Sequence, residues 1–169
     1  MKQVVVSIGS NFDRYRHLAF CLDSLQQTFD NLRISRVYES EPIDLDDAGS
    51  YFNLVAAFNS DASVGELQAW CRRLENASGR TRHGREVTLD IDLLSVGELT
   101  GRIEGVELPR RDFERYAFVL KPLAELLPEN HHPLSGIRYR DLWAESDAGT
   151  QRLWPVDFIW QGQVISQAD

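Results

Sequence analysis

Ser63-Val64-Gly65-Glu66-Leu67-Gln68-Ala69-Trp70-Cys71-Arg72-Arg73-Leu74-Glu75-Asn76-Ala77-Ser78-Gly79 is the stretch on which the fold turns. Ser63 with Glu66 three residues later is a capping box, in which each side chain satisfies a backbone N–H that the helix leaves orphaned. Val64, Leu67, Trp70, Cys71 and Leu74 then recur at helical spacing, and Gly79 supplies the stop. The stretch predicts an amphipathic helix with one face against a core. Immediately before it, residues 51–58 are almost all apolar, with Asn53 the one strongly polar member, which predicts a buried strand. Immediately after it, residues 87–96 predict another.

Farther out the pattern continues. Residues 3–8 are a β-branched run closed by Gly9-Ser10-Asn11, a strand that ends in a tight turn. Leu18, Leu22, Leu25 and Phe29 mark a helix beginning after Asp13, and Leu32, Ile34 and Tyr38 share one face of a strand over 32–39. Residues 41–50 read as an acidic loop. The resulting order β-α-β-β-α-β is the split βαβ arrangement, so an α+β, ferredoxin-like fold is expected, an antiparallel sheet with helices packed on one face. Beyond it come a short segment at 106–109, a helix over 116–127, and a tail whose Trp143, Trp154, Phe158 and Trp160 predict packing rather than disorder. A length of 169 residues at 43% hydrophobic suits a single domain over 1–169.

The net charge of −8 argues against nucleic acid or an anionic membrane as a partner. No stretch approaches the roughly 18 apolar residues of a membrane-spanning helix. Cys21 and Cys71 lack metal or redox spacing and read as buried reduced thiols, which makes a cytoplasmic location the expectation. Against this acidic background the cations are unevenly placed. Only Lys2 and Lys121 are lysines among 18 positive residues, and Arg72, Arg73, Arg80, Arg82 and Arg85 crowd one short stretch. Arginine presents a planar fork suited to carboxylate or phosphate. A solvated helix end followed by loop arginines is an equally weighted reading of the same island.

The island runs into Val87-Thr88-Leu89-Asp90-Ile91-Asp92-Leu93-Leu94, where alternation puts Asp90 and Asp92 on the same face. Two carboxylates so placed repel unless a cation lies between them or one is protonated. A hard, oxygen-liganded cation such as Mg²⁺, completing its shell with water and substrate phosphate, suits this donor set. The plainer alternative is a solvent-facing edge strand kept soluble by its aspartates. Arginines beside a carboxylate pair are the combination phosphoryl transfer needs. There is no P-loop, no GxGxxG, and no zinc spacing among His17, His83, His131 and His132.

Several short motifs together resemble the 6-hydroxymethyl-7,8-dihydropterin pyrophosphokinases of folate biosynthesis, most strongly over residues 4–143. They are Ile8-Gly9-Ser10-Asn11, Tyr38-Glu39-Ser40-Glu41-Pro42, Tyr51-Phe52-Asn53, Leu74-Glu75 with Gly79-Arg80, Thr88 to Leu94, and Ala117-Phe118-Val119-Leu120 with Pro122-Leu123-Ala124-Glu125. The resemblance implies transfer of pyrophosphate from ATP to a reduced pterin, releasing AMP. It implies that Asp90 and Asp92 hold two Mg²⁺ ions and that Glu75 contacts the nucleotide. Arg80 and Arg82 would meet the phosphates during transfer. The pterin would lie against Phe118, with Asn53 and the backbone around Ser40 and Ile43 at its edge, near Gly9 and Tyr51. Residues 80–88 depart from the family pattern: its usual Gly-Pro-Arg becomes Gly84-Arg85-Glu86-Val87, so the family's arginine position falls on Val87. By the same resemblance Arg85, Arg110 and Arg115 would contact ATP. That departure motivates a second expectation, a pterin-binding or regulatory paralogue without transfer activity, and a third, a different Mg²⁺-dependent transferase on the same fold.

Overall fold

The computed structural model describes residues 1–41 and 49–169. The elements follow one another as β1 (Lys2–Ser10), α1 (Arg14–Thr28), β2 (Asp30–Ile34), β3 (Tyr38–Ser40), β4 (Phe52–Ser60), α2 (Val64–Ala77) and β5 (Asp90–Val96). Then come β6 (Gly101–Ile103), β7 (Val106–Leu108), α3 (Ala117–Leu126), α4 (Tyr139–Glu145), β8 (Leu153–Pro155), β9 (Phe158–Trp160) and β10 (Gln163–Ser166). The main sheet has the order β5-β1-β4-β3-β8, with β2 also on β4, and its pairings are antiparallel. Each helical crossover skips one strand: α1 carries the chain from β1 past β4, and α2 from β4 past β1. This is the split βαβ topology expected from the order of elements.

α2 forms as its sequence dictates. Ser63 Oγ accepts from the Glu66 N–H and Glu66 Oε1 from the Ser63 N–H, both at 3.2 Å. Gly79 follows the helix at φ 87°, a left-handed conformation in which a Cβ is strained. The expected strand over 32–39 is broken in two. Ser35 Oγ takes the Val55 N–H at 2.9 Å in place of a backbone carbonyl. Val37 then turns to the tail, its N–H donating to Ser166 Oγ at 3.0 Å and its carbonyl accepting from Val156 N–H at 2.9 Å.

Helices cover both faces of the sheet, not one. Val4, Val6, Ile8, Leu54, Ala56, Ile91 and Leu93 pack under α1 and α2. Val5, Val55, Ala57 and Leu94 pack under Val119 and Leu123 of α3. The central strand β1 is accordingly buried at every residue from Val4 to Ser10. A strand enclosed on both sides reads as a continuous apolar run instead of an alternating one.

Most of the aromatic tail packs as expected, while Trp154 lies exposed at the surface. Phe158 is 1% exposed and stacks on Tyr15 at 5.0 Å, and Trp160 Nε1 donates to Asp23 Oδ1 at 2.8 Å. No helix among the described residues is long and apolar enough to cross a membrane. Both cysteines are buried free thiols, and burial raises their pKa values above the ordinary thiol value. Phe158→Ala should lower the unfolding free energy by about 3–5 kcal/mol in urea denaturation, the cost of emptying a core aromatic site. A loss below about 1 kcal/mol would show that the tail is not part of the core.

Candidate active site

Register places the site. Tyr38 pairs with Asn53, Asn53 with Gly9, and Gly9 with Asp90, one row across four strands at the end of the sheet. Directly opposed residues project to the same face, so Asn53 and Asp90 stand on the α3 side. They are separated by two strand spacings, about 10 Å, with the side-chain-free Gly9 between them. A Cβ at Gly9 would come 2.5 Å from Asn53 Oδ1 and 3.5 Å from Tyr51 Cδ1. The next row, Val55-Ser7-Asp92, brings the second carboxylate in behind the first.

Of the residues expected to meet a flat substrate, Gly9 and Tyr51 lie beside Asn53, which is itself buried, while Ser40 and Phe118 line one cavity together. Ser40 on β3 donates its N–H to the Tyr51 carbonyl at 3.3 Å. Phe118 is the second residue of α3, half-buried, and its ring lies 5.4 Å from that of Tyr116. Ile43 lies outside the described residues.

On the other side of Gly9 the organising group is Glu75, fully buried in the last turn of α2. Its Oε1 accepts from Arg72 Nη1 at 2.5 Å and from Arg82 Nη2 at 3.2 Å. Its Oε2 accepts from Arg80 Nη1 at 3.1 Å and from the Ile91 N–H of β5 at 2.8 Å. Arg80 Nη1 also lies 2.9 Å from Asp90 Oδ1 and 3.2 Å from the Leu89 carbonyl. Because β5 is a sheet edge, its outward backbone groups need partners: Glu75 takes the Ile91 N–H and the Arg110 N–H meets the Leu94 carbonyl, while Arg80 meets the Leu89 carbonyl just before the strand. The structure thus brings Arg80, Arg82, Asp90 and Asp92 together. Glu75 presents no surface of its own to a ligand.

Asp90 and Asp92 lie against one another, the latter 22% exposed and 3.5 Å from Arg110 Nη1. Burial, and then the charge of Asp90, push the Asp92 carboxyl up to about 6. Among the described residues no three His, Cys, Asp or Glu side chains cluster as a closed metal cage. Two hard oxygen donors, one of them reluctant to ionise, fit a divalent cation that keeps waters and borrows phosphate oxygens. Beside Arg110, a cavity of about 310 Å³ is lined by Gln68, Leu93, Gly105, Val106, Glu107 and Arg111.

Residues 87–89, expected to begin the strand, are held differently. Asn11 N–H donates to the Val87 carbonyl at 3.0 Å, Asn11 Oδ1 accepts from Val87 N–H at 2.6 Å, and Asn11 Nδ2 donates to the Arg85 carbonyl at 3.1 Å. Spent on Asn11, these groups are not free for the ladder, and β5 starts at Asp90. Arg85 and Glu86 are exposed on this clamped loop. Arg115 stands apart from the Glu75 cluster and pairs with Asp112 at 3.8 Å. Asn11 and Arg72 are the residues whose place in the site went unread. Nothing in the spacing of Asn11 points to residues 76 positions away, whereas Arg72 stands one helical turn from Glu75.

A raised carboxyl pKa means that the folded state binds the proton more readily than the unfolded one. Asp92 therefore contributes stability that is complete below about pH 4 and lost as the pH rises through about 6. Asp92→Asn should melt higher than the native protein at pH 7.5 in chelator and level with it near pH 4, by calorimetry. Added Mg²⁺ should raise only the native melting temperature. Glu75→Gln should cost roughly 3 kcal/mol in chemical denaturation, the low end for breaking a buried ion pair because Arg72 and Arg82 can turn to water.

A family model described as 7,8-dihydro-6-hydroxymethylpterin-pyrophosphokinase matches residues 5–128. The 2-amino-4-hydroxy-6-hydroxymethyldihydropteridine pyrophosphokinase of Haemophilus influenzae is 31% identical over 137 residues, covering 78% of this chain and 86% of that protein. Its Pseudomonas aeruginosa counterpart is 30% identical, covering 79% and 85%. Among solved structures, a Plasmodium falciparum HPPK-DHPS triple mutant with pteroate superposes with a TM-score of 0.72 at 10% identity, over 98% of this chain. The chain spans 48% of that larger protein, and the likeness speaks for the fold alone. With the match running from the first strand through α3, and with relatives of nearly equal length, the chain belongs to the 7,8-dihydro-6-hydroxymethylpterin-pyrophosphokinase family.

Proposed function

We propose that this protein transfers the pyrophosphoryl group of ATP to the hydroxymethyl oxygen of 6-hydroxymethyl-7,8-dihydropterin in folate biosynthesis. The observation that carries the reading is the row Asn53-Gly9-Asp90, a polar ring-binding side and a carboxylate side on one sheet face with a glycine gap between them. The substrate hydroxyl attacks the β-phosphorus and loses its proton to solvent. The bond from that phosphorus to the α,β-bridging oxygen breaks, and AMP leaves with that oxygen. Attack needs the two reactants held in line, which is positioning more than side-chain chemistry.

On this reading Gly9, Ser40, Tyr51, Asn53 and Phe118 receive the pterin. Asp90 and Asp92 hold magnesium, two ions with ATP. The metal supplies charge neutralisation across the phosphates. Arg80 and Arg82 meet the transferring group, which develops negative charge that guanidinium forks absorb. Glu75 serves the nucleotide through these arginines, because its own carboxylate is enclosed. Arg110, next to Asp92 and the cavity beyond it, takes the nucleotide, with Arg85 and Arg115 at the periphery. The negative overall charge fits a small anion delivered with its metal better than a nucleic acid, and the two free buried thiols fit the cytoplasm.

Purified protein given Mg-ATP and the reduced pterin should release AMP in step with pterin diphosphate, followed by chromatography. Pterin binding without AMP would mean a paralogue that has lost transfer. Asp90→Asn should cut turnover by roughly a hundredfold or more while pterin affinity stays within a few fold, as expected for a group acting on transition-state charge. Unchanged turnover would remove Asp90 from the metal site.

A further inference from the structure

The first backbone N–H groups of a helix have no partner within it. At the start of α3 the preceding residue, Tyr116, provides no side-chain cap. The missing partner arrives from the tail. Gln151 Oε1 accepts from the Ala117 N–H at 2.9 Å, and Gln151 Nε2 donates to the Arg115 carbonyl at 2.9 Å. One planar amide thus holds the backbone on both sides of Tyr116, and the next residue along is Phe118. Fixing residues 115 and 117 fixes the direction in which the Phe118 side chain leaves the helix.

Gln151 is itself held. Its N–H donates to the carbonyl of the fully buried Ala148 at 3.0 Å. The neighbouring Leu153 pairs with Ser40, and the Arg152 carbonyl accepts from Glu41 N–H at 3.4 Å. A cavity of about 170 Å³ lies between these segments, lined by Ser40, Phe118, Gln151, Arg152 and Leu153 among others. Ser40 and Phe118, two of the residues proposed to receive the pterin, thus share a wall with the tail. Three of these lining residues come from the tail, beyond the stretch 5–128 that the family model matches.

We infer that Gln151 is a positioning residue for the pterin: through the backbone of 115–117 it sets Phe118, and with it the tail completes the ring-binding wall. The role rests on the proposed pterin chemistry. It concerns the flat substrate alone, because the cavity beside Arg110 and the Glu75 arginines have no tail residue among their partners.

The test compares the full-length protein with Gln151→Leu, which removes both hydrogen bonds, and Gln151→Glu, which keeps an acceptor for Ala117 N–H but loses the donor to Arg115. Pterin affinity is read by intrinsic fluorescence titration without ATP, alongside KM for each substrate. Gln151→Leu should weaken pterin binding and raise its KM about tenfold, with KM for ATP within twofold, and Gln151→Glu should fall between. Equal weakening of both substrates, or unchanged pterin affinity, overturns the positioning role. Should the leucine variant fail to fold, the glutamate variant decides by the same split. Native protein that binds no pterin defeats the functional reading beneath; native binding with unaffected variants defeats only the role of Gln151.

Discussion

A carboxylate with no exposure to water is the constraint on which the rest of the site depends. Burying an isolated charge costs several kcal/mol even after relaxation, so Glu75 persists only because its four interactions satisfy it. Those interactions have structural consequences. Accepting the Ile91 N–H ties the end of α2 to the sheet edge, and accepting from Arg80 and Arg82 folds the chain after Gly79 back over the helix end. Arg80 then comes to Asp90 as a matter of geometry. A single buried acid converts an island of arginines, spread along the sequence, into guanidinium groups aimed at one place.

Much of this was legible, because it is local. The capping box and the apolar stripe of α2 are written in consecutive turns, and the shared face of Asp90 and Asp92 follows from the two-residue period of a strand. The order of elements then fixes the antiparallel topology. Features set by contacts between distant segments were not legible. Helices on both faces of the sheet were signalled by Val4-Val5-Val6, an unbroken run that a one-sided sheet would not tolerate, but a short apolar run does not say what will cover it. The break between β2 and β3 depends on Ser35 and Val37 finding partners on β4 and the tail, contacts between segments far apart in the chain.

The clamp by Asn11 bears on the stretch where the sequence leaves its family. Val87 occupies the place of an arginine in the usual pattern, and here its N–H and carbonyl are both spent on Asn11 at the end of β1. A residue used through its backbone places little demand on its side chain, which is a physical account of why a valine is tolerated there. A positive charge stands two residues earlier, where Asn11 also holds the carbonyl of the exposed Arg85. The loop is thus pinned by its main chain.

The charge balance within the site explains how an acidic protein receives a polyanion. Arg72, Arg80, Arg82 and Arg110 face Glu75, Asp90 and Asp92, so the cluster is nearly neutral before anything binds. A polyphosphate arriving alone would meet the two aspartates, and a divalent cation arriving alone would meet the arginines. Each repulsion is strong in a partly buried site, where the effective dielectric is lower than in water. On the proposed reading a nucleotide carrying its metal would avoid both: the cation would go to Asp90 and Asp92, and the guanidinium now paired with Asp90 would be free for phosphate. The salt bridge between Arg80 and Asp90 would then keep both partners in place, each standing in for the counter-charge that the proposed ligands would bring.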